Sequence, residues 1–353
     1  RVPEGGWKKT APVQQDAGEE KEPNAKTWKI ASYLSFAVII ALIIIQVLPK
    51  KNIVQLNPYL EKSIAVLPFK NDSNDSTNVY LINGLMESIL ENLQKIEDLR
   101  VISRTSVEKY RNNPKTSPEI ALELNANYLV EGSGQKIGDQ IMLYVQLIEA
   151  STDKHLWAER YKREAGDIFE LQMEIAKSIA AEIEAIITPE EVAQIEKVPT
   201  ENLVAYDYFL QGLDHFQQET REDLLKAISF FEKAIEEDPE FARAYADIAM
   251  SYSILDMYQV ETRYSEQIDH YADKALLLDP KLAHSLMAKA MYHITLKEYE
   301  QALPYIEKAL EYNPSSSMVI NMLADFYSSY MPDTEKYLEY ALMGIDLDIA
   351  SHD

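Results

Sequence analysis

No cysteine occurs among the 353 residues. Disulfides, thiol nucleophiles and thiolate metal sites are therefore excluded, while the compartment stays open, since a disulfide-free fold suits the cytosol and many bacterial periplasmic proteins equally. No Gly-x-x-x-x-Gly-Lys and no Gly-x-Gly-x-x-Gly stretch is present, so no glycine-rich loop is available to cradle a phosphate. Gly132, Gly134 and Gly138 read instead as part of a strand turn. The six histidines are scattered, and none forms a His-Glu-x-x-His motif or an i, i+4 pair suited to zinc. Asn71 to Ser76 holds calcium-type residues but lacks the turn glycine and the distal glutamate that a calcium loop requires. No Ser-His-Asp arrangement is identifiable from spacing. The chain is predicted to be no enzyme and to need no cofactor or metal.

Positive charge is also in short supply. Lys plus Arg total 34 against 58 Asp plus Glu, a formal charge of −24. Residues 1–48 are nearly neutral, so the acid lies in the remainder. Such a body repels phosphate backbones and anionic headgroups, and no nucleic-acid binding is expected of it.

One long uncharged run is present. Ile30 to Leu48 spans nineteen residues with six Ile, three Leu, two Val and Phe36. At about 1.5 Å per residue a helix of that length covers roughly 28 Å, near the thickness of bilayer hydrocarbon. Trp28 and Tyr33 sit where interfacial aromatics belong, and Lys26, Lys29, Lys50 and Lys51 flank the run. The run predicts a single transmembrane helix and membrane association through Ile30–Leu48. The basic amino-terminal flank favours that end in the cytoplasm and the large body outside it.

The remaining pattern divides the chain. Residues 1–29 read as a polar linker or tail, and 49–62 as a short tether. From Ser63 strand-like runs alternate with helical ones: Ser63 to Phe69, a helix carrying Leu81, Leu85, Ile89 and Leu93, a short strand at Leu99 to Ile102, and helical pieces at Val107–Tyr110 and Pro118–Leu124. Three strands follow, with turns at Gly138-Asp139 and Thr152-Asp153. A helix is predicted over Ile168 to Ile187, stopped at Pro189. Residues 63–195 thus predict an α+β domain with a mostly antiparallel sheet. Residues 199–353 show helical spacing throughout and three like turns, Asp238-Pro239, Asp279-Pro280 and Asn313-Pro314. The thirty-four residues from Pro280 to Pro314 are a helical-repeat period, and such repeats stack into one continuous core. The expected fold class is a single transmembrane helix, an α+β domain, and an all-α solenoid.

The second half resembles tetratricopeptide repeats. The resemblance rests on Tyr208, Gly212, Ala227, Phe231, Ala234 and Pro239 in a first repeat and on Tyr245, Ile248, Ala249, Tyr252, Ala275 and Pro280 in a second. Leu286, Ala290, Ala302, Ile306, Ala309 and Pro314 carry a third, and Ile320, Leu323, Ala324, Tyr327 and Gly344 a fourth. Residues 63–187 resemble the TolB-amino-terminal-like (FlgO-like) domain of bacterial membrane proteins, through Ser63–Phe69, Asp98–Ser106, Tyr128–Ser133, His155–Tyr161 and Asp167–Phe169. Relatives of this kind are often labelled adenylate cyclases or transcriptional regulators because of further domains. The resemblance implies a single-pass protein of a bacterial inner membrane with a periplasmic body.

Two candidate sites follow. On a regular strand His155, Trp157, Glu159 and Tyr161 would share a face, opposite Leu156, Ala158 and Arg160. The reading preferred there is structural, with Trp157 packed beneath the domain and Arg160 paired to an acid. Arg100 and Arg104 likewise suit structural ion pairs. The better candidate is the concave groove lined by the first helix of each repeat. Alignment on the small residues places Arg243, Met250, His284, Met287, Met291, Asn321 and Asp325 there, and methionine is adaptable at binding surfaces. The expected function is a membrane-tethered scaffold whose groove binds a protein or peptide partner. The alternative is the extracytoplasmic sensor half of a larger signalling regulator.

Overall fold

The computed structural model describes residues 62–73, 78–257, 259 and 262–347. The apolar run after the tether forms strand β1 (Lys62–Val66), an interior strand of the sheet, with Ile64, Ala65 and Val66 fully buried. Strands β2 (Lys70–Asn71), β3 (Leu99–Val101), β4 (Tyr128–Ile137), β5 (Gln140–Glu149) and β6 (Lys154–Glu164) complete it in the order β3-β1-β4-β5-β6, with β2 also on β4. β1 runs parallel to both β3 and β4, and β2 parallel to β4, whereas β4–β5 and β5–β6 are antiparallel. The expected mostly antiparallel sheet is therefore corrected to a mixed one. Helix α1 (Val79–Gln94) connects β1 to β3, and α2 (Arg104–Glu108) with α3 (Ser117–Leu124) connects β3 to β4. Helical crossovers of that kind join parallel neighbours. Only the two tight turns make antiparallel pairs; Gly138 at φ +58° and Asp153 at φ +55° occupy their left-handed positions.

The predicted helix over Ile168–Ile187 is also shorter. It stops at Glu182 (α4, Ile168–Glu182), Glu184 turns to φ +55°, and a new helix, α5 (Pro189–Ile195), starts behind Thr188. Pro189 opens this helix and the Thr188–Glu191 capping box satisfies its first amides, so the proline marks a start where a stop was expected.

Eight further helices form four helix–turn–helix pairs: α6 (Leu203–Phe216) with α7 (Arg221–Glu237), α8 (Ala242–Met257) with α9 (Ser265–Leu278), α10 (Ala283–Thr295) with α11 (Tyr299–Tyr312), and α12 (Ser317–Asp325) with α13 (Thr334–Leu347). Small residues set their spacing. A Cβ on Gly212 would lie 2.6 Å from the Phe231 ring, and Ala249, Ala275, Ala290, Ala302 and Ala309 are wholly buried. In the Asp-Pro turns the side chain receives the amide two residues on, at 2.9 Å for Asp238–Glu240 and 3.2 Å for Asp279–Lys281.

The sheet part and the repeats share a core. One apolar cluster runs from Ile64 through Leu85, Ile89, Val145 and Ile175 to Phe209, Phe231 and Leu255. Helix α1 is buried on the sheet side and on the repeat side alike. Gly84 is its closest point to α6, where a Cβ would meet Leu210 at 2.5 Å. Tyr80 donates to Asp207 at 2.6 Å and Asn83 to Asp214 at 3.2 Å across the same seam. At the far end of the repeats the Ser103 amide donates to the Leu347 carbonyl at 2.7 Å, and Arg100 donates to the Asp346 and Asn125 carbonyls. Arg104 makes the expected ion pair, to Glu87 at 2.6 Å.

Among the described residues no helix is long and apolar enough to cross a membrane. The longest of them, α7, has seventeen residues and carries Arg221, Glu222, Asp223 and Lys226 in its first turns. The predicted run Ile30–Leu48 lies outside the described residues. The fold class is accordingly corrected to a mixed-sheet α/β part joined to helical repeats, and the single-pass inner-membrane placement is not supported.

Candidate partner-binding cleft

The first helices of the repeats face α1 and α2 across an open cleft of about 960 Å³. Six of the seven residues singled out from the sequence line it: Arg243, Met250, His284, Met291, Asn321 and Asp325. Met287 does not. It is 1 % exposed and belongs to the core between α8, α10 and α12; Met291, one turn further along the same face, is the one that lines the cleft. Met250 reaches the cleft from near-complete burial, whereas Met257 and Met318, which the alignment did not select, are 74 % and 43 % exposed at its mouth.

The opposite wall was not anticipated. Glu87, Leu90, Glu91 and Gln94 of α1 and Arg104, Thr105 and Glu108 of α2 face the repeats. One signal was legible: Glu87 and Glu91 stand four apart, on the helix face that the periodic leucines leave free.

At the base of the cleft the charges are tightly paired. Arg243 donates from both terminal nitrogens to Glu91 at 3.0 Å each, and from Nε to Asp247 at 2.9 and 3.1 Å. The guanidinium also lies 5.6 Å from the Phe209 ring centroid. Burial opposes the charge on every member. For Asp247 it outweighs the pull of Arg243 and lifts the carboxyl to about 6. Glu91 is raised by burial too, but Arg243, with smaller contributions from His284 and Lys95, prevails and brings it to about 2. Burial and then the repulsion of Arg243 push His284 down to about 3, so its imidazole is neutral at pH 7. A second cavity of about 440 Å³ lies beyond this cluster, and both cavities touch Glu91, Arg243, His284 and Asn313.

These shifts predict an acid response. The folded pKa of His284 lies below its unfolded value of 6.5, so its contribution to stability is complete above pH 6.5 and is lost as pH falls toward 3. The contribution of Asp247 runs oppositely, growing as pH falls from 6 toward 3.8. Over pH 7 to 5 the two largely offset in the natural protein. In His284→Gln the His284 contribution is absent, so acidification from pH 7 to 5 should change the unfolding free energy of variant and parent differently by about 2 kcal/mol. Urea titrations at the two pH values measure this, and parallel shifts would show that His284 is not held neutral.

The tempting strand residues are separated by a β-bulge. Leu147 pairs with Trp157 but Ile148 with His155, leaving Leu156 as the extra residue. Alternation therefore breaks, and His155 and Trp157 face opposite sides of the sheet. Trp157 packs against the main core as expected, and Arg160 lies over the Tyr144 ring at 5.3 Å where an acidic partner was expected.

The architecture so described is a sheet-and-helix part joined to tetratricopeptide-like repeats, and comparison with known proteins agrees at that level. Residues 283–316 match the tetratricopeptide repeat family. Residues 60–178 match the second domain of HilA/YgeH-like transcriptional regulators. Over 188 residues the chain is 32 % identical to a Rhizobium meliloti (strain 1021) protein named "Putative adenylate cyclase 3". That alignment covers 53 % of this chain and 32 % of the relative, so the chain spans about a third of the relative's length. Among solved structures, TolB from Acinetobacter baumannii is similar over 35 % of this chain and 28 % of its own, at 18 % identity and a TM-score of 0.27. The TPR2B domain of yeast Sti1, solved in complex with pHsp70, is similar over 40 % of this chain and 98 % of its own, at 24 % identity and the same score.

Proposed function

We propose that this chain is a non-enzymatic interaction protein whose repeats take a protein or peptide partner in the cleft between their first helices and α1. The observation that carries this reading is the cleft itself: about 960 Å³, open at a methionine-rich mouth, and bordered by all four repeats from Leu213 to Tyr330. Flexible thioether side chains adapt to a partner's contours without fixed polar geometry. The tetratricopeptide match supports a binding role. A second reading is favoured by the match to the regulator domain and by the much longer cyclase-named relative. In it, the chain is the interaction part of a larger signalling regulator whose effector, a nucleotide cyclase or a DNA-binding domain, lies elsewhere in the same protein.

Exposed methionines allow a test that spares the fold. Met257→Gln combined with Met318→Gln removes apolar contact at the mouth without changing charge. Capture of crosslinked partners from the source cells is expected to fall at least tenfold, as when well-buried interface anchors are lost, with the unfolding midpoint unchanged. Undiminished capture would refute the groove as the site.

A further inference from the structure

The cleft is lined by six carboxylates, on Glu87, Glu91, Glu108, Glu219, Asp247 and Asp325, against the two guanidiniums of Arg104 and Arg243. Both guanidiniums are already engaged. Arg104 lies 2.6 Å from Glu87, and Arg243 is held between Glu91 and Asp247. His284 adds no positive charge at neutral pH. Two carboxylates stay outside this pairing: among the described residues neither Glu219 nor Asp325 has an ion-pair or hydrogen-bond partner for its side chain. They stand at opposite ends of the cleft, Glu219 at the turn between α6 and α7 and Asp325 at the end of α12. Partial burial pushes the Asp325 carboxyl upward, the condition of an acid that would gain from a cation beside it. Between them lie the apolar side chains of Met257, Met318, Met322 and Tyr330, beside the uncharged polar Gln218, Ser317 and Asn321.

We infer that the partner's bound segment is a basic amphipathic peptide, which seats apolar side chains on the methionines and places Lys or Arg against Glu219 and Asp325. The inference rests on the groove reading above and adds the partner's charge. An acidic or phosphorylated segment is disfavoured, since the cleft's basic side chains, Arg104 and Arg243, are already paired to carboxylates of the fold. The charge of the whole chain, −24, acts in the same sense at longer range and should speed encounter with a cationic partner.

The test uses the full chain and two labelled peptides of one length, an amphipathic Leu/Lys sequence and its Leu/Glu counterpart, followed by fluorescence anisotropy. The Lys peptide is expected to bind at least tenfold more tightly, with affinity falling as salt rises. The double variant Glu219→Gln with Asp325→Asn breaks no ion pair within the fold and should weaken Lys-peptide binding about fivefold. Equal binding of the two peptides, or Lys-peptide binding indifferent to the double variant, would overturn the inference. So would self-association of the chain that the double variant abolishes, because the cleft would then hold a second copy. Failure here is distinguishable from failure of the groove itself. If M257Q/M318Q abolishes partner capture while the two peptides bind alike, the groove stands and only the assigned charge falls.

Discussion

Replacing Arg243 with alanine is expected to destabilise the folded protein by about 3–5 kcal/mol, the usual cost of removing one partner from a buried ion pair. Asp247, 1 % exposed, and the half-buried Glu91 would be left facing each other with no cation between them. Lysine should not rescue. Three nitrogens of Arg243 are used, two on Glu91 and one on Asp247, and a single ammonium cannot reproduce that fork. Glu91→Gln should cost less than Arg243→Ala, since it leaves the Arg243–Asp247 pair intact. Urea unfolding of the three variants measures the series, and an Arg243→Ala protein as stable as the parent would show that this cluster does not hold α1 to the repeats.

Phe209→Ala is expected to cost about 3–5 kcal/mol as well, through the cavity that an aromatic truncation leaves. The ring is 5 % exposed and lies 4.9 Å from Phe241, 5.6 Å from Phe231 and 6.1 Å from Tyr206 by ring centroids. Because those contacts belong to the cluster that also holds the sheet, the loss should be felt by both parts together. Far-ultraviolet dichroism, dominated by the repeats, and the fluorescence of Trp157, which packs on the sheet core, read in a Trp7→Phe, Trp28→Phe background that leaves it the one tryptophan, should fall in one coincident transition at a lower urea midpoint. Separate transitions would show that the parts fold independently.

Much of the fold could be read locally. Alternating apolar residues in β5, the Asp-Pro turns and the small residues at Gly212, Ala290 and Ala309 follow from short-range rules, and each lies where those rules place it. The parallel pairings of β1 did not emerge that way. A five-residue strand with four buried positions has the same pattern whether its neighbours run with it or against it, and only the helical crossovers around it settle the direction. The bulge at Leu156 was equally hidden, because an extra residue is visible only against the register of the partner strand.

The cleft divides along the same line. That the repeats carry Arg243, His284, Asn321 and Asp325 on one side follows from the alignment of their small residues to the tetratricopeptide pattern, and the acidity of the body follows from composition. Burial of Met287 and exposure of Met257 depended on how neighbouring helices cover each turn. Above all, the far wall of the groove is supplied by α1 of the sheet part, some 150 residues earlier in the chain. Periodicity reports which face of a helix is apolar, whereas the partner of its charged face is chosen by packing between distant segments, and that choice belongs to the tertiary structure.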